Sequence, residues 1–384
     1  MIPLGVYIHI PFCVRKCYYC DFCSSAHSEE VKLRYVDALK KEISSPTARK
    51  YFSNHRIESI FFGGGTPTCI PSECLVDLLE TVDRYYSVSD DTEITTECNP
   101  GTVMYEDLLT LRHGGFNRLS IGLQSVNDRE LKSLGRIHSF NDFDKTFNNA
   151  RMAGFSNISL DLMYGIPLQN ETSFDKTLER VMDYSPEHVS AYALKIEPGT
   201  QFFKNREKLI LPDEDSEYNM YMSAVSTLKD AGYRHYEISN YARCGYESRH
   251  NLKYWNCDDY VGFGVSAHSC IGTKRYFVTS SIKEYLECID RNDSGYVFLE
   301  EELSLSDFAE EYVMMRMRLA DGLSTVDYKN RFGIGFEEKY SDRIMPYIKS
   351  GHIIYSRDNG KLRFSDESMY VSNYILSDIL DLRG

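Results

Sequence analysis

The 384-residue chain has no run of about 18 consecutive apolar residues, so no membrane-spanning helix is expected. Its opening stretch, "MIPLGVYIHIPF", lacks a basic leader followed by a long apolar core and a small-residue cleavage site. No secretory signal is therefore expected, the predicted location is cytoplasmic, and any membrane contact would be peripheral. There is no basic surplus either: 43 Lys and Arg stand against 57 Asp and Glu, a formal net charge of -14. That balance argues against nucleic acid as a partner, since phosphate-backbone binding needs a basic face. Fixed-period repeats and low-complexity linkers are missing, and tryptophan occurs once, at position 255. Cysteine is not scarce. There are 11, an odd number, and in a reducing compartment most scattered cysteines are small buried side chains.

Short apolar runs alternate with helix-length amphipathic stretches. The runs are GVYIHI (5–10), ESIFFGG (58–64), TEITTEC (92–98), RLSIGLQS (118–125), NISLDLMYG (157–165) and HVSAYALK (188–195); VKLRYVDALKKEI (31–43) and CLVDLLETVDRYY (74–86) are typical of the stretches between. Such units imply parallel strands with crossover helices, in an open doubly wound sheet or a barrel. The polar residues decide between these. Cys13 follows the first run and Gly63–Gly65 the second, Glu97 and Gln124 end the third and fourth, and Asp161 lies in the fifth. Groups from five successive strands meet at one mouth only if the sheet curves. The expected fold is α/β, a partial (β/α)6-type barrel over residues 1–235. Residues 236–300 are expected to form a connecting aromatic and polar segment. Residues 301–384 are expected to form a small C-terminal α+β, winged-helix-like domain, because a helical pattern precedes two short strands around Asp358–Asn359–Gly360. The acidic run Glu300–Glu302 reads as a solvated helix start.

Four of the cysteines crowd into "FCVRKCYYCDFC", residues 12–23. Cys13, Cys17 and Cys20 form C-x-x-x-C-x-x-C, with Cys23 beyond. A zinc site needs four closed ligands, for which Cys23 or His27 could supply the fourth. A redox dithiol needs only Cys17 and Cys20 and leaves Cys13 unexplained. Three thiolates suit a 4Fe–4S cubane, holding three irons and leaving one open.

This spacing, on a loop directly after the first strand, resembles the radical S-adenosylmethionine (SAM) superfamily. The resemblance implies that Cys13, Cys17 and Cys20 hold a 4Fe–4S cluster whose open iron chelates SAM and whose electron can cleave a C–S bond. GGGTP (63–67) resembles that family's segment for the methionine amino group, where glycines admit a ligand close to the backbone. YIHIPFC (7–13), GGGTPT (63–68), GFNRLSIGLQS (115–125), LGRIHS (134–139) and DLMYGIP (161–167) resemble, more narrowly, oxygen-independent coproporphyrinogen III oxidase and its relatives. The oxidase binds two SAM molecules. The matching positions are Tyr7, Gly64 and Glu97 for the first, and Tyr19, Gly65, Thr66, Gln124, Arg136 and Asp161 for the second. Two departures count against decarboxylation and against the second SAM: the oxidase has a cysteine where Phe22 stands here, and it carries an N-terminal extension.

CDF (20–22) and HNLKYW (250–255) instead resemble the heme-chaperone branch, whose heme motif reads H-N-x-x-Y-W. That resemblance implies His250 as an axial ligand of heme, oriented by Asn251, with Tyr254 and Trp255 stacking on the macrocycle. His268 is the second choice of ligand, and His9 is either a neighbour of the cluster or a packed strand residue. The implied cofactors are a 4Fe–4S cluster, SAM and heme, and the implied partner is a heme-acceptor protein, with respiratory proteins as candidates. The competing expectation is radical oxidative decarboxylation of coproporphyrinogen III.

Overall fold

The structure, a computed structural model, describes residues 1–52, 54–86 and 88–382. Six parallel strands lie side by side in chain order: β1 (Ile2–Ile10), β2 (His55–Gly64), β3 (Glu93–Cys98), β4 (Arg118–Gln124), β5 (Ile158–Tyr164) and β6 (His188–Ala193). Helices join each strand to the next, as alternating strand and helix periodicities require. The first crossover helix, Glu29–Ile43, is capped by Ser28, carries Glu29 and Glu30 in its first turn and Lys40 and Lys41 in its last, and buries Tyr35, Val36, Leu39 and Ile43. Along β1, Leu4, Val6, Ile8 and Ile10 are fully buried and alternate with Gly5, Tyr7 and His9, whose face carries the polar groups of the barrel interior.

β1 and β6 do not pair with each other, so the curl stays open and the barrel is partial. On the β6 edge an antiparallel hairpin adds β7 (Arg234–Glu237) and β8 (Asn240–Ala242). On the β1 edge β9 (Tyr260–Phe263) pairs in parallel, followed by antiparallel β10 (His268–Ile271), β11 (Lys274–Val278) and β12 (Val297–Glu302). Residues 236–300 thus extend the main sheet at both edges rather than merely connecting two domains. Glu301 and Glu302 sit in β12 opposite Arg275 and Lys274 of β11, so the acidic run is a strand with cross-strand charge pairs and not a helix start. The helix that follows runs Leu305–Arg316 behind a Ser304 cap.

The C-terminal part contains a second sheet in the order β13 (Leu323–Ser324), β15 (Lys361–Phe364), β14 (Ile353–Ser356), with the helix Phe336–Lys349 lying between β13 and β14 in the chain. Tyr328, Phe332, Phe336 and Tyr340 pack ring against ring within it. Among the described residues no helix is long and apolar enough to cross a membrane.

Candidate functional site

The interior face of the curled sheet opens into a cavity of about 900 Å³. Cys13, Cys17 and Cys20 line it from the loop after β1, and all three thiols are free. The loop is held shut at its base by Cys13 N–H donating to the Ser25 carbonyl at 3.1 Å and Ser25 N–H to Pro11 at 3.0 Å. The glycine segment after β2 is tied to the same base, with Gly65 N–H donating to Ile10 at 2.9 Å and Thr66 N–H to Phe12 at 2.7 Å. Side chains do not fit there. A Cβ on Gly65 would lie 2.6 Å from the Phe12 carbonyl oxygen, and one on Gly64, at φ +113°, 2.5 Å from the His9 ring.

Among the described residues no three His, Cys, Asp or Glu side chains gather round a single point, as a mononuclear zinc site requires. A cubane asks instead for thiols that meet separate irons. The candidates for a fourth ligand are engaged elsewhere: Cys23 Sγ donates to the Ser280 carbonyl at 3.6 Å, and His27 Nε2 bonds Ser25 Oγ at 2.8 Å. The donor set fits a cluster held by three thiolates with one iron left open.

Glu97, Gln124, Arg136, Asp161, Tyr19 and Thr66 line the same cavity. Arg136 donates to Asn99 Oδ1 at 2.6 Å and to the Tyr19 hydroxyl at 2.7 Å, while its Nε, though buried, has no partner. Gln124, at φ +69°, accepts from the Tyr192 hydroxyl at 2.9 Å. Asp161 accepts from Ser120 Oγ at 3.1 Å. Burial, and after it the neighbouring Asp161, push the Glu97 carboxyl up to about 8, against a hydrogen bond from the Gly64 amide.

Of the remaining predicted site residues, Tyr7, His250 and Tyr254 lie outside the cavity lining. Tyr7 bonds His9 Nδ1 at 3.1 Å and stacks on Phe61, and His9 Nε2 reaches the Cys23 carbonyl at 2.9 Å. His9 is thus a packed strand histidine that braces the cysteine loop. HNLKYW is not an open loop. It forms the helix Arg249–Trp255, N-capped by Ser248, whose first amides, on Arg249 and His250, donate to the Glu93 carboxylate at 3.2 Å. Lys253, buried, pairs with Glu58 at 2.5 Å. Trp255 lines the cavity. His250 does not: it is 1% exposed, with Nδ1 on Ser59 Oγ at 3.0 Å and Nε2 on the Tyr254 hydroxyl at 2.8 Å. Burial, then Lys253, push its pKa down to about 3. Both ring nitrogens of His250 are thus bonded inside the protein, and to serve as an axial ligand it would have to leave Ser59 or Tyr254. His268 is exposed on β10 beside Glu300, away from the cavity lining.

Sequence reasoning missed the opposite wall, where Ile238, Arg318, Tyr370 and Asn373 line the cavity. It also missed Asn99 and Tyr192, although the strand-end positions that pointed to Glu97 and Gln124 could have found them.

Residues 7–181 match the radical SAM superfamily and residues 303–371 the HemN C-terminal domain. The heme chaperone HemW of Bacillus subtilis is 34% identical over 368 residues, covering 93% of this chain and 96% of that protein. HemW of Escherichia coli is 35% identical over 332 residues, 85% of each chain. The chain belongs to the HemW family. Its radical SAM fold is shared with the coproporphyrinogen III oxidase HemN of Escherichia coli, a radical SAM enzyme, at a TM-score of 0.85 and 24% identity over 98% of this chain and 90% of that one. The radical SAM match runs from β1 to the helix after β5, and the HemN C-terminal match covers the part that holds the second sheet.

Proposed function

We propose that the protein is a cytoplasmic heme chaperone that binds heme at the barrel mouth and passes it to an acceptor protein, with respiratory heme proteins as candidates. The observation that carries this reading is full-length similarity to HemW proteins together with Trp255, the last residue of the HNLKYW helix, lining the same cavity as the three free cysteines. Free thiols throughout the described residues accord with a reducing compartment.

Cys13, Cys17 and Cys20 would hold the 4Fe–4S cluster, which when bound supplies one-electron reduction of the SAM sulfonium. The rest is the work of the chain. Gly64 and Gly65 let the backbone approach the ligand, and Thr66 is fixed beside Cys13 by a 2.6 Å bond from Asn99. Glu97 offers a carboxyl to an ammonium, and Arg136 and Asp161 offer a held cation and a held acceptor. Gln124 and Tyr19 present polar groups already oriented by Tyr192 and Arg136. Tyr7 supports this layer from below. For heme, Trp255 supplies the flat apolar contact, while His250 and Tyr254 order the helix that presents it.

The test is anaerobic cluster reconstitution, a heme titration by absorbance, and mixing of the loaded protein with an apo b-type heme protein, with coproporphyrinogen III consumption assayed in parallel. Stoichiometric heme uptake and transfer without consumption is expected. Consumption of coproporphyrinogen without heme binding would make the protein an oxidase.

A further inference from the structure

Arg318 stands in the cavity wall formed by the C-terminal part of the chain. Its backbone is stitched to the β7–β8 hairpin, with Ile238 N–H donating to the Arg318 carbonyl at 3.1 Å and Ala320 N–H to Tyr236 at 3.0 Å. The side chain starts from a fixed point. Its guanidinium donates through Nη2 to Asn373 Oδ1, a neutral acceptor, at 2.7 Å. No carboxylate of the described residues forms an ion pair with it, in contrast to Arg151, Arg275 and Arg343, each of which has one. Burial alone lowers its pKa, with no acid opposing the shift. Two acids of the cavity are turned to other groups: Glu217 accepts from the Tyr370 hydroxyl at 3.0 Å, and Asp161 from Ser120.

A guanidinium has five donors in a planar fork, and a half-buried one without a counter-ion is costly unless an anion completes it. Asn373 steadies one arm of a residue that lines the cavity. We propose that Arg318 is a binding residue for a carboxylate of the cavity's ligand, through a two-pronged contact that joins the C-terminal part to the barrel when the ligand is bound. This inference rests on the proposed function. The carboxylate could come from a tetrapyrrole propionate or from the amino-acid end of SAM, which share this chemistry.

The test uses the reconstituted full-length protein and compares wild type, Arg318→Gln and Arg318→Lys in titrations with heme, heme dimethyl ester and SAM. Loss of a charge-assisted contact corresponds to about tenfold or more in affinity. If the partner is a propionate, Arg318→Gln weakens heme binding by that factor and leaves the ester and SAM unchanged. If the partner is SAM, only SAM binding falls. Arg318→Lys should recover part of the loss, which a folding defect would not allow. Wild-type heme binding with Arg318→Gln equal to it for both heme and SAM would overturn the inference while leaving the chaperone reading intact. Wild type that binds neither heme nor SAM would overturn both.

Discussion

The floor and the mouth of the barrel interior are lined by the same strands, yet their polar groups end differently. On the floor, Ser59, His250 and Tyr254 bond in sequence, Ser159, His188 and Tyr236 do the same at 2.7 and 2.8 Å, and Glu93 caps a helix, with Arg118 Nε and Thr95 Oγ1 among the exceptions. At the mouth, Arg136 Nε has no partner, Arg318 has one bond, to Asn373, and the three cysteines are joined in no disulfide. A satisfied buried network rigidifies a protein; an incomplete one awaits a ligand. Residue type alone does not separate the two, since the floor contains the histidine that looked most like a ligand.

Breaking the mouth should have the largest effect on binding. Changing Cys13, Cys17 or Cys20 to Ser is expected to abolish the reconstituted cluster's absorbance and iron content, whereas Cys23→Ser, whose thiol faces Ser280, should keep both. Breaking the floor should instead appear as lost stability. His250→Ala removes a buried ring and leaves the Ser59 and Tyr254 hydroxyls unpaired, which is expected to cost about 2–4 kcal/mol in denaturant unfolding of the cluster-free protein. At the border between the two layers, Gly64→Ala should cost about 1–3 kcal/mol in the same assay, because a β-carbon at φ +113° meets the His9 ring.

The smallest expected effect is on pH dependence. Between the ordinary carboxylate range and about 8, folded Glu97 keeps a proton that the unfolded chain has released, so its contribution is present at low pH and is lost as pH rises through the folded value. Glu97→Gln should shrink the fall in stability between pH 5 and pH 8 by about 1 kcal/mol, a figure reduced for the solvent the cavity admits. Glu42 and Glu237, both pushed up to about 7 by burial, act in the same direction and keep a residual slope in the variant. An unchanged slope would mean that Glu97 is ionised in the folded protein.

The strand–helix alternation and the C-x-x-x-C-x-x-C loop were legible in the chain because both are local: each apolar run and its following loop report their own place at a strand end. The parts that escaped are assembled over long distances. The strands Tyr260–Phe263 and His268–Ile271 are four residues each, too short to show a period, and join the sheet only because β1 has a free edge. Arg318 and Asn373 come to the cavity from the far side of the chain, and nothing in their neighbours marks them. HNLKYW could have been read as a helix, since Ser248 stands at its N-cap, but its burial depends on Ser59 and Glu93 from two other strands.

The most direct test of the division between floor and mouth is a heme titration of Trp255→Ala and His250→Ala beside the wild-type protein, each with its cluster reconstituted anaerobically. Trp255→Ala is expected to weaken heme binding at least tenfold with little loss of stability. His250→Ala is expected to be less stable and to leave the Soret band of the bound heme where it is in the wild-type protein. A Soret shift or loss of heme in His250→Ala, with Trp255→Ala binding as wild type, would show that His250 leaves its bonds to Ser59 and Tyr254 to ligate iron, and would contradict the account.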